Sequence, residues 1–295
     1  MIAPRLFEHI GFLPEWVDKY RRLHEKIGAD LSKIADSIVL EERMVEDAKA
    51  EAKALFPFLC EETLCLMLLL EGSGALYEKY KESGLPEEMF YDAMRDLTCK
   101  TRECLRLKGM LGTFVGHWYN GFYHMTRFAF GRLQYDLSSY AGKSVLLAGV
   151  ALTPGDFVLQ CHIPSLGPLT GEACHTSLLR AEAFFADRFP RETMIVTCRS
   201  YLLFPPYLPL FSSSAPNIAR FASHFWIDAV RPQKEFMDAW RIFYRSDFAP
   251  IETLPAETAL QRAFIRYLKT NRTFGEGVGV MILKNKTIIT KNQYQ

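Results

Sequence analysis

The sequence predicts an α+β protein: a helical N-terminal half followed by a mixed β-sheet with helices packed on it. Three observations carry this. The first 128 residues show 3.6-residue apolar periodicity punctuated by Pro and Gly, with almost no β-branched alternation. From about residue 130 the pattern changes to period-2 runs separated by turn residues. Those runs come first as consecutive strands and then as strand, helix, strand, which argues for a sheet carrying helices on its faces. At 295 residues the chain exceeds one ordinary domain, so we divide it into a helical domain over 1–128 and a sheet domain over 129–295.

The helical half holds five or six helices. "LPEWVDKYRRLHEKIG" opens at Pro14 and is expected to stop at Gly28. A second helix starts at Asp30, an N-cap residue type, and ends before Pro57. "CEETLCLMLLLEGSGALYEKYKESG" closes at Gly84, and its Leu64–Leu70 run reads as a buried helix because it is far too short for a bilayer. "LPEEMFYDAMRDLTCKTRECLRLKG" closes at Gly109, and "HWYNGFYHMTRF" is a short aromatic segment. Its rings suit either a ligand pocket where two domains meet or ordinary core packing.

In the second half the strands are "GRLQYDLSSY", "KSVLLAGVAL", "DFVLQCHIP", "ETMIVTCRSYLL" and "GVGVMILKNK". Thr153-Pro154-Gly155-Asp156 is a turn signal expected to join the second and third as a hairpin. Two helices are expected, Thr170 to Phe189 ended by Pro190, and "PAETALQRAFIRYLKTN". On the first, Cys174, Leu178, Ala181, Phe185 and Phe189 trace one apolar stripe.

Composition excludes some partners. A net charge of +1 with 23% charged residues lacks the basic excess that tracks phosphate backbones, so no nucleic acid is expected. The N-terminus shows no basic stretch and apolar run of a secretory signal, so a cytoplasmic location is expected. No membrane span is expected. Seven cysteines without a C-x-x-C pair fit neither a disulfide framework nor a zinc site, so free, mostly buried thiols and no metal are expected.

The stretch "CHIPSLGPLTGEACHTSLLRAEAFF" runs from a strand through a tight loop onto a helix. Thr170 is a credible N-cap there, and the first amides of the helix have no intrahelical partner. Such amides form an anion seat, and Gly167 and Gly171 admit a ligand close to the backbone. Against this stand the frequency of Gly, Pro and Thr in turns that bind nothing, and Glu172, whose carboxylate repels a diphosphate unless it points away.

Together, "HIPSLGPLTGEACHTSLLRAEAFFADRFP", "CRSYLL", "SSSAPNIARF" and "LPAETALQRAFIRYL", with "GRLQY" at the start, resemble the C-terminal domain of bacterial acyltransferase domain-containing proteins. These carry a helical N-terminal domain before a GNAT-like one. The likeness covers about residues 130 to 285, and the helical half only by its general layout. It implies a strand, "DFVLQCHIP", whose loop and helix grip the diphosphate of CoA, and a neighbour, "TMIVTCRSYLL", that splays away to admit pantetheine. Ser165, Leu166, Gly167, Leu169, Thr170 and Gly171 are then the cofactor-binding residues, with acyl-CoA or acetyl-CoA as co-substrate and a small-molecule amine as acceptor. The usual glycine-alternating diphosphate signature is absent, and Arg199 stands where the family tends to carry His.

Acyl transfer to an amine asks for a base to take the amine proton. His162 is the candidate, sharing a strand face with Val158 and Gln160, and a structural His is its alternative. Cys198 and Ser200 share a face of the next strand, where a thiol beside an imidazole makes a nucleophilic pair and a buried inert Cys is the alternative. Tyr201 on the other face fits core packing better than acid catalysis. Asn217 is expected to cap a helix, Gly275, Gly277 and Gly279 to permit close backbone approach at a sheet edge, and Arg199, His175 and Arg180 to form a basic patch or a solvated face. The function expected is acyl-CoA-dependent N-acyl transfer, and the rival is a non-catalytic binding protein on the same scaffold.

Overall fold

The computed structural model describes residues 2–189, 193–245, 247 and 250–294. Its contacts divide the chain into two compact units, Met1–Phe130 with Pro164–Leu166, and Gly131–Ile163 with Gly167–Gln295. The three-residue piece of loop that joins the first unit matters for the site below.

In the first unit the helices are α1 (Leu6–Ile10), α2 (Pro14–Leu40), α3 (Val45–Leu55), α4 (Glu61–Glu71), α5 (Ser73–Glu82), α6 (Glu87–Lys108) and α7 (Asn120–Tyr123), followed by strand β1 (Arg127–Phe130). Every residue of α4 from Thr63 to Glu71 is buried, as an apolar run too short for a membrane requires. No helix among the described residues is long and apolar enough to cross a membrane. α6 ends at Gly109 with φ 69°, a left-handed cap that glycine adopts without strain. The aromatic segment packs inside this unit: Tyr119, Phe122 and Tyr123 are buried, the Tyr123 hydroxyl donates to the Leu69 carbonyl, and the Arg127 guanidinium lies 3.4 Å from the centre of the Trp118 ring.

Gly28 does not stop a helix. α2 runs through it, and the break falls at 41–44, where Glu42 takes a φ of 52°. A Cβ at Gly28 would stand 2.3 Å from His24 Nδ1, whose ring folds over this position to reach Glu71 at 2.6 Å. The fully buried Glu71 carboxylate also accepts from Tyr20 (2.5 Å) and Ser32 (2.9 Å). The glycine makes room for a polar side-chain network that the helix pattern does not reveal.

The second unit holds β2 (Leu133–Ser139), β3 (Val145–Leu147), β4 (Val150–Leu152), β5 (Phe157–His162), α8 (Gly171–Phe184), β6 (Thr193–Ser200), α9 (Leu208–Ser214), α10 (Pro216–Ser223), β7 (Trp226–Gln233), α11 (Ala239–Phe243), α12 (Ala259–Thr270), β8 (Phe274–Lys284) and β9 (Thr287–Ile288). Its main sheet has the order β2-β5-β6-β8-β7, with β9 added to β8. β5 and β6 are parallel, joined by the crossover through α8, and the other pairs are antiparallel. The mixed sheet with packed helices is as expected.

Four local readings are corrected. "KSVLLAGVAL" is a hairpin by itself, because Ala148 and Gly149 both take positive φ (50° and 79°), the turn that matches strand twist. The Thr153–Asp156 turn forms, with the Asp156 amide on the Thr153 carbonyl at 3.1 Å, but it hands the chain to β5, which pairs with β2 and β6. β7 escaped notice because Pro232 lies inside it; among the described residues it pairs only with β8, and a strand at the end of a sheet tolerates proline. Gly275, Gly277 and Gly279 sit in β8, where Gly277 and Gly279 pair on both sides and lie inside the sheet, while the register given for Gly275 is with Pro232 of β7. There the turn after β6 presses on them: a Cβ at Gly277 would stand 2.1 Å from the Leu203 carbonyl oxygen. α8 ends at Phe184, while Pro190 and Glu192 lie outside the described residues.

Candidate active site

The junction from β5 to α8 can be read amide by amide. Thr170 caps α8: its Oγ1 accepts the Ala173 amide (3.2 Å) and its carbonyl accepts that of Cys174 (3.0 Å). The Leu166 amide is used locally by the Pro164 carbonyl at 2.8 Å. The amides of Gly171 and Glu172 donate to nothing among the described residues, at the positive end of the helix. The Glu172 side chain is exposed.

Arg132 fixes the loop that precedes them. Its guanidinium donates to the carbonyls of Gly167 (2.9 Å) and Pro168 (3.2 Å), holding those oxygens on its own side, while Gly167 at φ 94° makes the bend. Ser177, buried on α8, accepts the Leu133 amide (3.2 Å) and lies 3.4 Å from the Tyr135 hydroxyl. The "GRLQY" segment therefore anchors both loop and helix. Leu169 is buried. Ser165 and Leu166 belong to the first unit, where the Ser165 hydroxyl donates to Glu103 at 2.8 Å. That engagement leaves Gly167 to Gly171 as the part of the expected loop that faces the sheet unit.

A groove of about 360 Å³ opens beside Gly171, walled by α8, α10 and the turn between β8 and β9. The Arg220 guanidinium covers Gly171, with Cζ 3.3 Å from where a Cβ would be. Among the described residues it has neither hydrogen bond nor ion pair. Asn217 and His224 line the same groove, and no carboxylate does. Burial first, then the neighbouring Arg220 and His175, push the His224 imidazole below its ordinary range. The groove thus has the Arg220 guanidinium and two open amides together at one end. Asn217 is not the cap of α10, a position Ala215 takes, with Pro216 next.

On the sheet itself β5 and β6 pair over Leu159–Val196, Gln160–Thr197 and Cys161–Cys198, and their register ends there. Each continues outward on its other side, His162 opposite Gln134 and Ser200 opposite Gly277. The two strands are therefore held by different neighbours beyond the Cys pair, which opens a wedge between them. At its mouth His162 Nε2 donates to Asp136 Oδ2 at 2.9 Å, a diagonal pair across β5 and β2 with side chains 18% and 24% exposed.

The family described as a GNAT-like C-terminal domain matches residues 128–281, and the N-acyltransferase N-terminal domain matches residues 1–125. The chain belongs to this two-domain N-acyltransferase family. Solved structures similar to it include a mutant acyltransferase in complex with octanoyl-CoA, at 22% identity and a TM-score of 0.62. An acyltransferase in complex with decanoyl-CoA and teicoplanin has 23% identity and the same TM-score of 0.62. Each match covers 75% of this chain and 66% of the other, so the chain spans slightly less than two thirds of these proteins' length. Among curated proteins none matches.

Within this member of the family, two expected site residues are drawn away from His162. Cys198 is register-paired with Cys161 in the core, and strand alternation puts His162, the next residue after Cys161, on the opposite face. The Cys198 thiol is thus not beside the imidazole. The Ser200 hydroxyl accepts the Leu202 amide at 3.1 Å and so caps the following turn. Arg199 pairs with Glu276 on β8 and Arg180 lies by Gly131, so of the expected basic patch only His175 reaches the groove. Tyr201 packs on Phe264. Asp136, Arg132 and Arg220 went unnoticed in the sequence. "GRLQYD" and "SSSAPNIARF" did contain them, but only the fold shows what each faces.

Proposed function

We propose that the protein transfers an acyl group from an acyl-CoA thioester to the amine of a small molecule. The observation that carries this is the pair of open amides at Gly171 and Glu172 under the Arg220 guanidinium, which has neither hydrogen bond nor ion pair among the described residues, next to the end of the β5–β6 register at Cys161 and Cys198. The amides and Arg220 hold the CoA diphosphate, Gly167 and Gly171 let it approach, and Leu169 and Thr170 fix the loop. Pantetheine lies between β5 and β6 and delivers the thioester toward His162.

There the amine nitrogen bonds to the carbonyl carbon, its proton passes to His162, and the C–S bond breaks to release the CoA thiolate. Because Nε2 donates to Asp136, the basic lone pair is on Nδ1. The imidazolium then returns its proton to the thiolate. Asp136 holds the ring in this tautomer. Acceptor choice rests on support outside the groove: a similar structure holds teicoplanin, which favours a small-molecule acceptor. All seven cysteines are unpaired, which favours the cytoplasm.

Thermal denaturation with acetyl-, octanoyl- and decanoyl-CoA tests the reading. Ligand at a hundred times its Kd stabilises by about 2.7 kcal/mol, roughly 5–10 °C in Tm. No shift at millimolar concentration of any of the three sinks the proposal.

A further inference from the structure

The groove carries more positive charge than a diphosphate at Gly171 and Arg220 uses. One helical turn along α8, about 6 Å beyond Gly171, stands His175. Its Nε2 donates to the Lys286 carbonyl (3.2 Å), which fastens the ring to the turn between β8 and β9. That turn is tight, with Asn285 and Lys286 at φ 49° and 63°, and it brings Lys286 to the wall of the groove. Across from it, on α10, is His224. Its ring has no hydrogen-bond partner among the described residues, and it feels both Arg220 and His175. Donors from three elements thus converge on a groove whose lining, among the described residues, holds no carboxylate, while Glu182 meets the turn through the Lys286 amide (3.4 Å).

Resting on the acyl-CoA reading above, we infer that His175, His224 and Lys286 form a second anion seat that takes the ribose 3′-phosphate of the co-substrate. A phosphomonoester there accepts from the two imidazoles and the ammonium, and the apolar side chains of Leu178, Phe221 and Met281, which line the same groove, suit the nucleoside. The seat makes the enzyme distinguish CoA from its 3′-dephospho form. It also links binding to protons. The charged and titratable groups of the groove around His224 are Arg220 on the helix that His224 caps, His175 and Cys174 on α8 and Lys286 on the turn, with Glu182 of α8 against the Lys286 amide. Burial first, then Arg220 and His175, favour the neutral ring when no anion is bound, so binding takes up a proton and weakens as pH rises.

Calorimetric titration of the full chain with CoA and with 3′-dephospho-CoA, at about pH 6.5 and about pH 8, tests this. CoA is expected to bind about tenfold tighter or more, the worth of one charge-assisted hydrogen bond, with the gap narrower at the higher pH. His224→Asn and His175→Asn are expected to close the gap while leaving 3′-dephospho-CoA affinity unchanged, which also reports that they fold. Equal wild-type affinity for the two ligands overturns the seat and leaves the acyl-CoA reading standing. A gap that both variants retain overturns it as well. Failure of both ligands to bind at all overturns the acyl-CoA reading itself.

Discussion

Replacing Gly171 by Ala is expected to stabilise the free protein and weaken CoA binding together. Gly171 is the first residue of α8 and does not take positive φ, so its backbone accepts Ala without strain. Removing glycine's extra freedom in the unfolded chain gives about 0.5 kcal/mol, or roughly 1–2 °C in Tm. The added Cβ, however, would stand 3.3 Å from Arg220 Cζ and Nε and 3.4 Å from Nη1. That is tight enough to displace the guanidinium by a few tenths of an ångström, and the methyl occupies the space through which a phosphate approaches the open amides. Loss of one charge-assisted hydrogen bond is worth about 1.5 kcal/mol, a roughly tenfold rise in Kd. Differential scanning fluorimetry without ligand and calorimetry with CoA read the two effects separately. Unchanged CoA affinity in a G171A protein with unimpaired stability refutes the seat, because a ligand on these amides cannot ignore a methyl placed on them.

Other expectations follow from the same geometry. Asp136→Asn presents an amide to His162 Nε2 and favours the other tautomer, so turnover is expected to fall about a hundredfold with acyl-CoA affinity intact; full activity would remove the base from the mechanism. Gly277→Ala drives a methyl against the Leu203 carbonyl inside a strand paired on both sides, which costs about 3 kcal/mol and lowers Tm by about 6–12 °C, and a shift under about 2 °C contradicts the packing. Thiol labelling provides another check. Burial pushes Cys65 and Cys99 up to about 12 and Cys104 up to about 11, burial raises Cys174, and contact with Cys198 followed by burial raises Cys161. Iodoacetamide near pH 8 is expected to reach Cys60, the one thiol not fully buried, in the native protein and all seven in denaturant; fast labelling of two or more native thiols contradicts the burial.

The change from 3.6-residue to 2-residue periodicity sets the division into a helical and a sheet region. Such periodicities reflect which side chains share a face of one element, so they are local and legible. The Thr170 cap, the Gly109 stop and the buried Leu64–Leu70 helix were read correctly for the same reason: each depends on residues within a turn or two. His162 was chosen by chemistry alone, but its partner Asp136 is 26 residues away and meets it only through β2–β5 register.

What tertiary structure alone decided is which faces look at one another. Register sent Cys198 into the core beside Cys161, although its residue type suggested a nucleophile. The crossover brought Arg220 over Gly171 from 49 positions along the chain, and the turn at Asn285–Lys286 closed the groove that His175 and His224 line. Gly28 and Gly277 illustrate the limit from the other side, since each reads as a local breaker or edge residue, yet Gly28 makes room for the His24 ring that distant Glu71 draws over it and Gly277 for the Leu203 carbonyl. A sequence states the conformational preferences of neighbours; long-range contact is a property of the packed chain, and the anion seat is made almost wholly of such contacts.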